Sequence, residues 1–250
     1  SALTWFRTIG ELAQECRVIA FDQVGFGRTD MPLGGVYRNR LERTDHARSV
    51  LRELEVGEAC LVGHSEGAFV ATRLAITDPD LANSLVIVTS GGTAPYLDDS
   101  RDSEWISACE QAYNDANRLD SEVAFVSSDP HLSRGPDPRY EELLRENFRR
   151  AVSCGQLELF RTLPESEVDY RRYRELQETF IFPYLSQLDL PSLLVWAGED
   201  PTVPVSRGLA LLELMTNADF QIIQDSGHYV MHDQTDAFNE LLRSFAGNRR

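Results

Sequence analysis

Gly63-His64-Ser65-Glu66-Gly67 sets a serine between two glycines, with the apolar run Ala59 to Val62 before it and an amphipathic stretch after it. That pattern is a nucleophile elbow: a tight strand-to-helix turn that lifts a hydroxyl clear of a sheet edge. Both glycines are expected for a steric reason, because a Cβ at either place would press on the neighbouring strand or helix. Ser65 is therefore the candidate nucleophile. A serine hydroxyl reacts poorly at neutral pH, so it needs an imidazole base, and the base needs a carboxylate to fix its tautomer and steady its charge.

Gly198-Glu199-Asp200-Pro201-Thr202-Val203-Pro204 follows the apolar run Leu193 to Trp196. Asp200 would then sit at the carboxyl end of a strand. It is favoured over its neighbour Glu199 because Pro201 and Pro204 stiffen the loop just after it. Asp225-Ser226-Gly227-His228-Tyr229 comes after the last apolar strand run, in a loop whose glycine can turn the His228 imidazole towards Ser65. His232, four residues on, is its competitor. His64 and Tyr229 adjoin the nucleophile and the base and are expected to line the substrate site, while the Glu66 backbone N–H is expected to donate to an oxyanion. No His-Glu-x-x-His or related spacing is present, so no metal site is expected, and no cofactor.

The elements that must position these groups read as an alternation. Strands are expected at 17–22, 59–64 and 84–89, and helices at 45–55, capped by Thr44 or Asp45, and at 66–77, stopped by Asp78-Pro79. The alternation resumes after Pro191, with strand 193–197, helix 205–215, strand 220–223 and helix 235–245. Such an order predicts an α/β fold with a mostly parallel sheet covered by helices on both faces. Between the two halves, residues 96–185 read as charge-rich helical segments. The expectation is a core made of 1–95 and 186–250 with 96–185 inserted as a helical lid. Its arginines Arg149, Arg150, Arg161, Arg171, Arg172 and Arg174 either meet a substrate carboxylate or pair with the many glutamates nearby.

Composition narrows the chemistry further. A formal charge of −16 repels phosphate backbones, which argues against a nucleic-acid partner. No apolar run approaches the ~20 residues that span a bilayer, so no membrane partner is expected. All 24 basic residues are arginine, and without a lysine neither a P-loop nor Schiff-base catalysis can operate. Cys16, Cys60, Cys109 and Cys154 show no metal or paired spacing and read as free thiols of a cytoplasmic protein. A homodimer is left open.

With 17–32, 63–67, 196–204 and Gly227-His228 in view, the chain resembles the α/β-hydrolase family. The segment Arg-Val-Ile-Ala-Phe-Asp-Gln-Val-Gly-Phe-Gly-Arg-Thr-Asp-Met-Pro (17–32) resembles in particular the meta-cleavage product hydrolases, which cut carbon–carbon bonds in vinylogous diketones. The resemblance implies Ser65 as nucleophile, Asp200 as acid, His228 as base and the Glu66 amide in an oxyanion hole. It implies a cofactor-independent serine hydrolase acting on a small carbonyl substrate: an ester, a lactone or a diketone. Dehalogenases and epoxide hydrolases of the family place an aspartate where this chain has Ser65. Two departures stand out. Ala197 replaces a usual glycine after Trp196, and the chain starts at Ser1-Ala2-Leu3-Thr4-Trp5, beyond the strand and His-Gly loop that supply a second oxyanion donor in the family. The expectation is that N-terminal strands are missing from this sequence, and that a longer polypeptide or a separate segment completes the sheet. A hydrolase-fold protein that binds or cyclises a small molecule without net hydrolysis is the competing class.

Overall fold

A computed structural model describes residues 1–35, 38–97, 138–161, 170–200 and 202–247. In chain order the elements are α1 (Phe6–Leu12), α2 (Arg40–Glu53), β1 (Ala59–His64), α3 (Glu66–Thr77), β2 (Ala82–Val88), α4 (Pro138–Ser153), α5 (Gln156–Arg161), α6 (Tyr170–Phe180), α7 (Phe182–Leu185), β3 (Ser192–Ala197), α8 (Val205–Leu212), β4 (Ala218–Ile223), α9 (Val230–Asp233) and α10 (Thr235–Gly247). The four strands form one parallel sheet in the order β1-β2-β3-β4.

Side chains alternate along each strand, so the sheet has two apolar faces, and each is covered. Leu85 and Ile87 of β2 with Leu194 and Trp196 of β3 pack against Ala47 and Leu51 of α2, Phe69 and Leu74 of α3 and Leu211 of α8. Val86, Val88, Leu193, Val195 and Ala197 pack on the other face against Val230 and Met231 of α9 and Phe238, Leu242 and Phe245 of α10. The α/β architecture expected from the alternation, a parallel sheet covered on both faces, is what the described residues adopt.

Two expected elements differ. Residues 17–22 are not a strand. A strand exists through its ladder partner, and a cleft of about 800 Å³ separates 17–21 from the edge of β1. What holds this segment is Asp22, whose Oδ1 accepts from Ala2 N at 2.7 Å and whose Oδ2 accepts from Arg28 N at 2.7 Å. Helix α2 starts not at Thr44 or Asp45 but at Arg40, with Asn39 as cap: its side chain accepts from Leu41 N and Glu42 N while Glu42 Oε2 accepts from Asn39 N at 2.9 Å. This reciprocal capping box satisfies the donors of the first turn five residues earlier than expected.

Helices α4 to α7 stand between β2 and β3 in the chain, within the expected lid range; residues 98–137 and 162–169 of that range lie outside the described residues. Cys16 and Cys154 are exposed free thiols, and Cys109 lies outside the described residues. Among the described residues no helix is long and apolar enough to cross a membrane.

Candidate active site

The turn between β1 and α3 holds Ser65 at φ 52°, ψ −121°. A residue with a β-carbon pays for a positive φ, and such a torsion persists only where the surroundings enforce it. Here they do: Ser65 N donates to Val88 O at 3.0 Å, and the Ser90 hydroxyl donates to Ser65 O at 2.7 Å. Ser90 Oγ in turn accepts from Gly92 N and Thr93 N, both at 3.1 Å. Gly63 is a steric requirement, since a Cβ there would lie 2.6 Å from Gly67 O and overlap the backbone of Ala68. Gly67 is not. Among the described residues a Cβ at Gly67 would meet only Gln23 Nε2 at 3.9 Å, because this side of the first turn of α3 faces the cleft.

The candidate acid, Asp200, and the candidate base, His228, stand on the loops after β3 and β4. Gly198 N donates to Ile223 O and Glu199 N to Ser226 O, each at 2.9 Å, which laces the two loops together. Gly227 N donates to Asp233 Oδ2 at 2.7 Å, holding the base loop against α9. His228 Nδ1 lies 2.8 Å from Asp200 Oδ2, with both side chains buried. Burial works against an ionised Asp200, but the His228 contact and the backbone N–H groups of Thr202 and Val203 outweigh it and hold the carboxyl below its ordinary range. Glu199 is exposed. His232 packs against the rings of Phe6 (5.3 Å) and Tyr140 (4.5 Å), where burial lowers it to about 4.

His64 turns its ring towards the base rather than away: its Nε2 is 2.9 Å from His228 O, and since a carbonyl only accepts, that nitrogen carries the proton. Thr89 Oγ1 donates to the same carbonyl at 3.0 Å. Tyr229 lies against His64, with ring centroids 5.2 Å apart. Ser65, Glu66, His64, His228 and Tyr229 all line one end of the cleft that runs along β1. Glu66 is more than a wall residue. Its carboxylate accepts from Arg40 Nη2 and Arg43 Nη2, each at 3.0 Å, with both arginine side chains 3% exposed and Glu66 40% exposed. Burial raises its pKa, yet the two guanidiniums prevail and bring it to about 2. The pair ties α2 to the first residue of α3, next to the nucleophile.

A sequence profile described as "Alpha/beta hydrolase family" matches residues 1–241. The chain belongs to this family.

Its similarity to curated members is moderate and nearly end to end. The α/β-hydrolase chain is 28% identical over 243 residues to the 2-hydroxymuconate semialdehyde hydrolase of Pseudomonas sp. (strain CF600), covering 96% of this chain and 80% of that protein. It is 24% identical over 248 residues to the 2-hydroxy-6-oxononadienedioate/2-hydroxy-6-oxononatrienedioate hydrolase of Cupriavidus pinatubonensis, covering 93% and 76%. Among solved structures, it is similar to the meta-cleavage product hydrolase CumD from Pseudomonas fluorescens IP01, with a TM-score of 0.78, 25% identity, and coverage of 99% of this chain and 85% of that one. A thermophilic esterase from Thermogutta terrifontis shares the fold at a TM-score of 0.72 and 20% identity.

The arginines between β2 and β3 divide. Arg150 bonds the carbonyls of Gly27 (2.7 Å) and Arg28 (2.9 Å), and Arg174 pairs with Glu178 at 2.8 Å, so these two hold structure. Thr89, Ser90 and Thr202, which brace the hydrolase site, were not singled out by sequence. The hydroxyl-rich Thr89-Ser90-Gly91-Gly92-Thr93 after β2 was the available signal. Among the described residues no cluster of His, Cys, Asp and Glu could hold a metal ion.

Proposed function

We propose that the chain is a cofactor-independent serine hydrolase with Ser65 as nucleophile, His228 as general base and acid, and Asp200 as the orienting carboxylate, and that its substrate is a small diketone cut at a carbon–carbon bond. The observation that carries the reading is the buried 2.8 Å contact of Asp200 with His228, on loops that open into the cleft where Ser65 stands on its strained turn. The substrate class rests on the relatives named above.

Asp200 ionised beside Nδ1 requires Nδ1–H, which leaves Nε2 of His228 as the lone pair that takes a proton. Ser65 Oγ attacks the carbonyl carbon, or water does so with the same base, while the Glu66 N–H at the start of α3 donates to the oxygen as it gains charge. The carbon–carbon bond then breaks towards the stabilised carbanion, and His228 returns the proton to that carbon. Water completes release of the acid, so one water is consumed per bond cut.

A fluorophosphonate probe should label wild-type protein at Ser65 and leave Ser65→Ala unlabelled. A panel of a vinylogous diketone, a lactone and p-nitrophenyl acetate should give highest kcat/KM on the diketone. No labelling at high probe concentration, or full turnover by Ser65→Ala, would end the reading; preference for the ester or lactone would end only its substrate class.

A further inference from the structure

We infer that Thr202 is a fourth, positioning member of the charge relay: its hydroxyl spans Asp200 and His228 and locks the base in its reactive tautomer. The inference rests on the serine-hydrolase reading above and adds a residue to it. Thr202 Oγ1 lies 2.8 Å from Asp200 Oδ1 and 2.9 Å from His228 Nδ1, and Nδ1 is also 2.8 Å from Asp200 Oδ2. These three distances admit one arrangement of hydrogens. An ionised carboxylate only accepts, so the hydroxyl proton points to Asp200 Oδ1. The oxygen lone pair then faces Nδ1, and that nitrogen must carry a hydrogen shared between Asp200 Oδ2 and Thr202 Oγ1. A proton on Nε2 instead would leave Nδ1 as a lone pair against two oxygens.

The site is built to hold this geometry. Thr202 is buried, and its own N–H also donates to Asp200 Oδ1 at 2.7 Å, so the side chain and backbone of one residue grip one carboxylate oxygen. Val203 N donates to the same oxygen at 2.9 Å. Both backbone donors survive loss of the hydroxyl, so Asp200 keeps its orientation while His228 loses an acceptor at Nδ1. Among the described residues, Asp200, His64 and Tyr229 are titratable groups that face His228, and none of them is altered by substitution at 202.

The test measures the rate of fluorophosphonate labelling and of p-nitrophenyl acetate turnover from pH 5 to 9 in Thr202→Val, Thr202→Ser and Thr202→Ala. Expected for Thr202→Val is a loss of about tenfold in labelling rate and kcat with KM unchanged, the worth of one hydrogen bond to a charged group. The acid midpoint of the profile should move to lower pH, because the imidazolium has lost an acceptor. Thr202→Ser should restore both. Wild-type labelling by Thr202→Val, or slow labelling with an unmoved midpoint, would overturn the inference. If circular dichroism shows Thr202→Val unfolded, Thr202→Ala decides by the same two readouts. Labelling absent from wild type would instead refute the serine-hydrolase reading, so the two failures are distinct.

Discussion

Glu66→Gln removes an anion held between Arg40 and Arg43 and leaves the shape of the side chain intact. The amide oxygen can accept from one guanidinium, but the amide nitrogen then faces the other, and two arginines that are 3% exposed lose the charge of this carboxylate. Weakening the pairing of a buried cation is costly. The displacement of the carboxyl from 4.5 to about 2 corresponds to about 3 kcal/mol at ~1.4 kcal/mol per pH unit. Because Glu66 keeps 40% of its side chain exposed, solvent screening brings the expected loss to roughly 1 to 2 kcal/mol at pH 7. The sign follows from a folded-state pKa that lies below the unfolded one: the stabilisation is whole above pH 4.5 and disappears as pH falls towards 2. Urea midpoints of wild type and Glu66→Gln at pH 7, 5, 4 and 3, followed by circular dichroism, should therefore show a constant gap down to about pH 5 that has lost more than half its size by about pH 3. A gap that stays level to pH 3, or no gap at pH 7, would refute the pairing as an energetic tie between α2 and the elbow.

Asp200→Asn should cut the fluorophosphonate labelling rate by ~10³ to 10⁴ with an unchanged circular dichroism spectrum. The Thr202 and Val203 N–H groups would keep the amide oxygen and turn its NH₂ on His228 Nδ1, forcing the unreactive tautomer. Gly63→Ala should lower stability by about 1 to 3 kcal/mol, read as a fall in melting temperature, because the new methyl meets the backbone of Ala68 and Gly67; an unchanged melting temperature would show that the turn has slack.

The parts of the fold that sequence made legible are those whose residues carry their own environment. Ala59 to Val62 and Leu193 to Ala197 are apolar on successive positions because both faces of a parallel sheet are covered, and their strands lie within a residue of expectation. Residues 17–22 carry the same apolar signature, but pairing is a property of two segments, and this one has a cleft beside it. The start of α2 was written in Asn39-Arg40-Leu41-Glu42, yet Arg40 and Arg43 look like solvent residues until the Glu66 carboxylate is placed between them. Motif and order name Ser65, Asp200 and His228 as the candidate trio, and the contact of Asp200 with His228 is a property of two loops that the order of residues only hints at. The bracing by Thr89, Ser90 and Thr202 was not legible, since a hydroxyl carries no mark of whether it will face solvent, a carbonyl or a histidine.

The torsion at Ser65 has a wider consequence for how this position can change. Among amino acids only glycine rests at φ 52° without steric penalty, so any search for sturdier variants at this site, in a test tube or across generations, is drawn towards glycine, which lacks the hydroxyl that the proposed chemistry needs. Robustness and reactivity thus compete for a single codon. Selection for heat tolerance without selection for turnover should drift towards a sounder protein that has lost its chemistry.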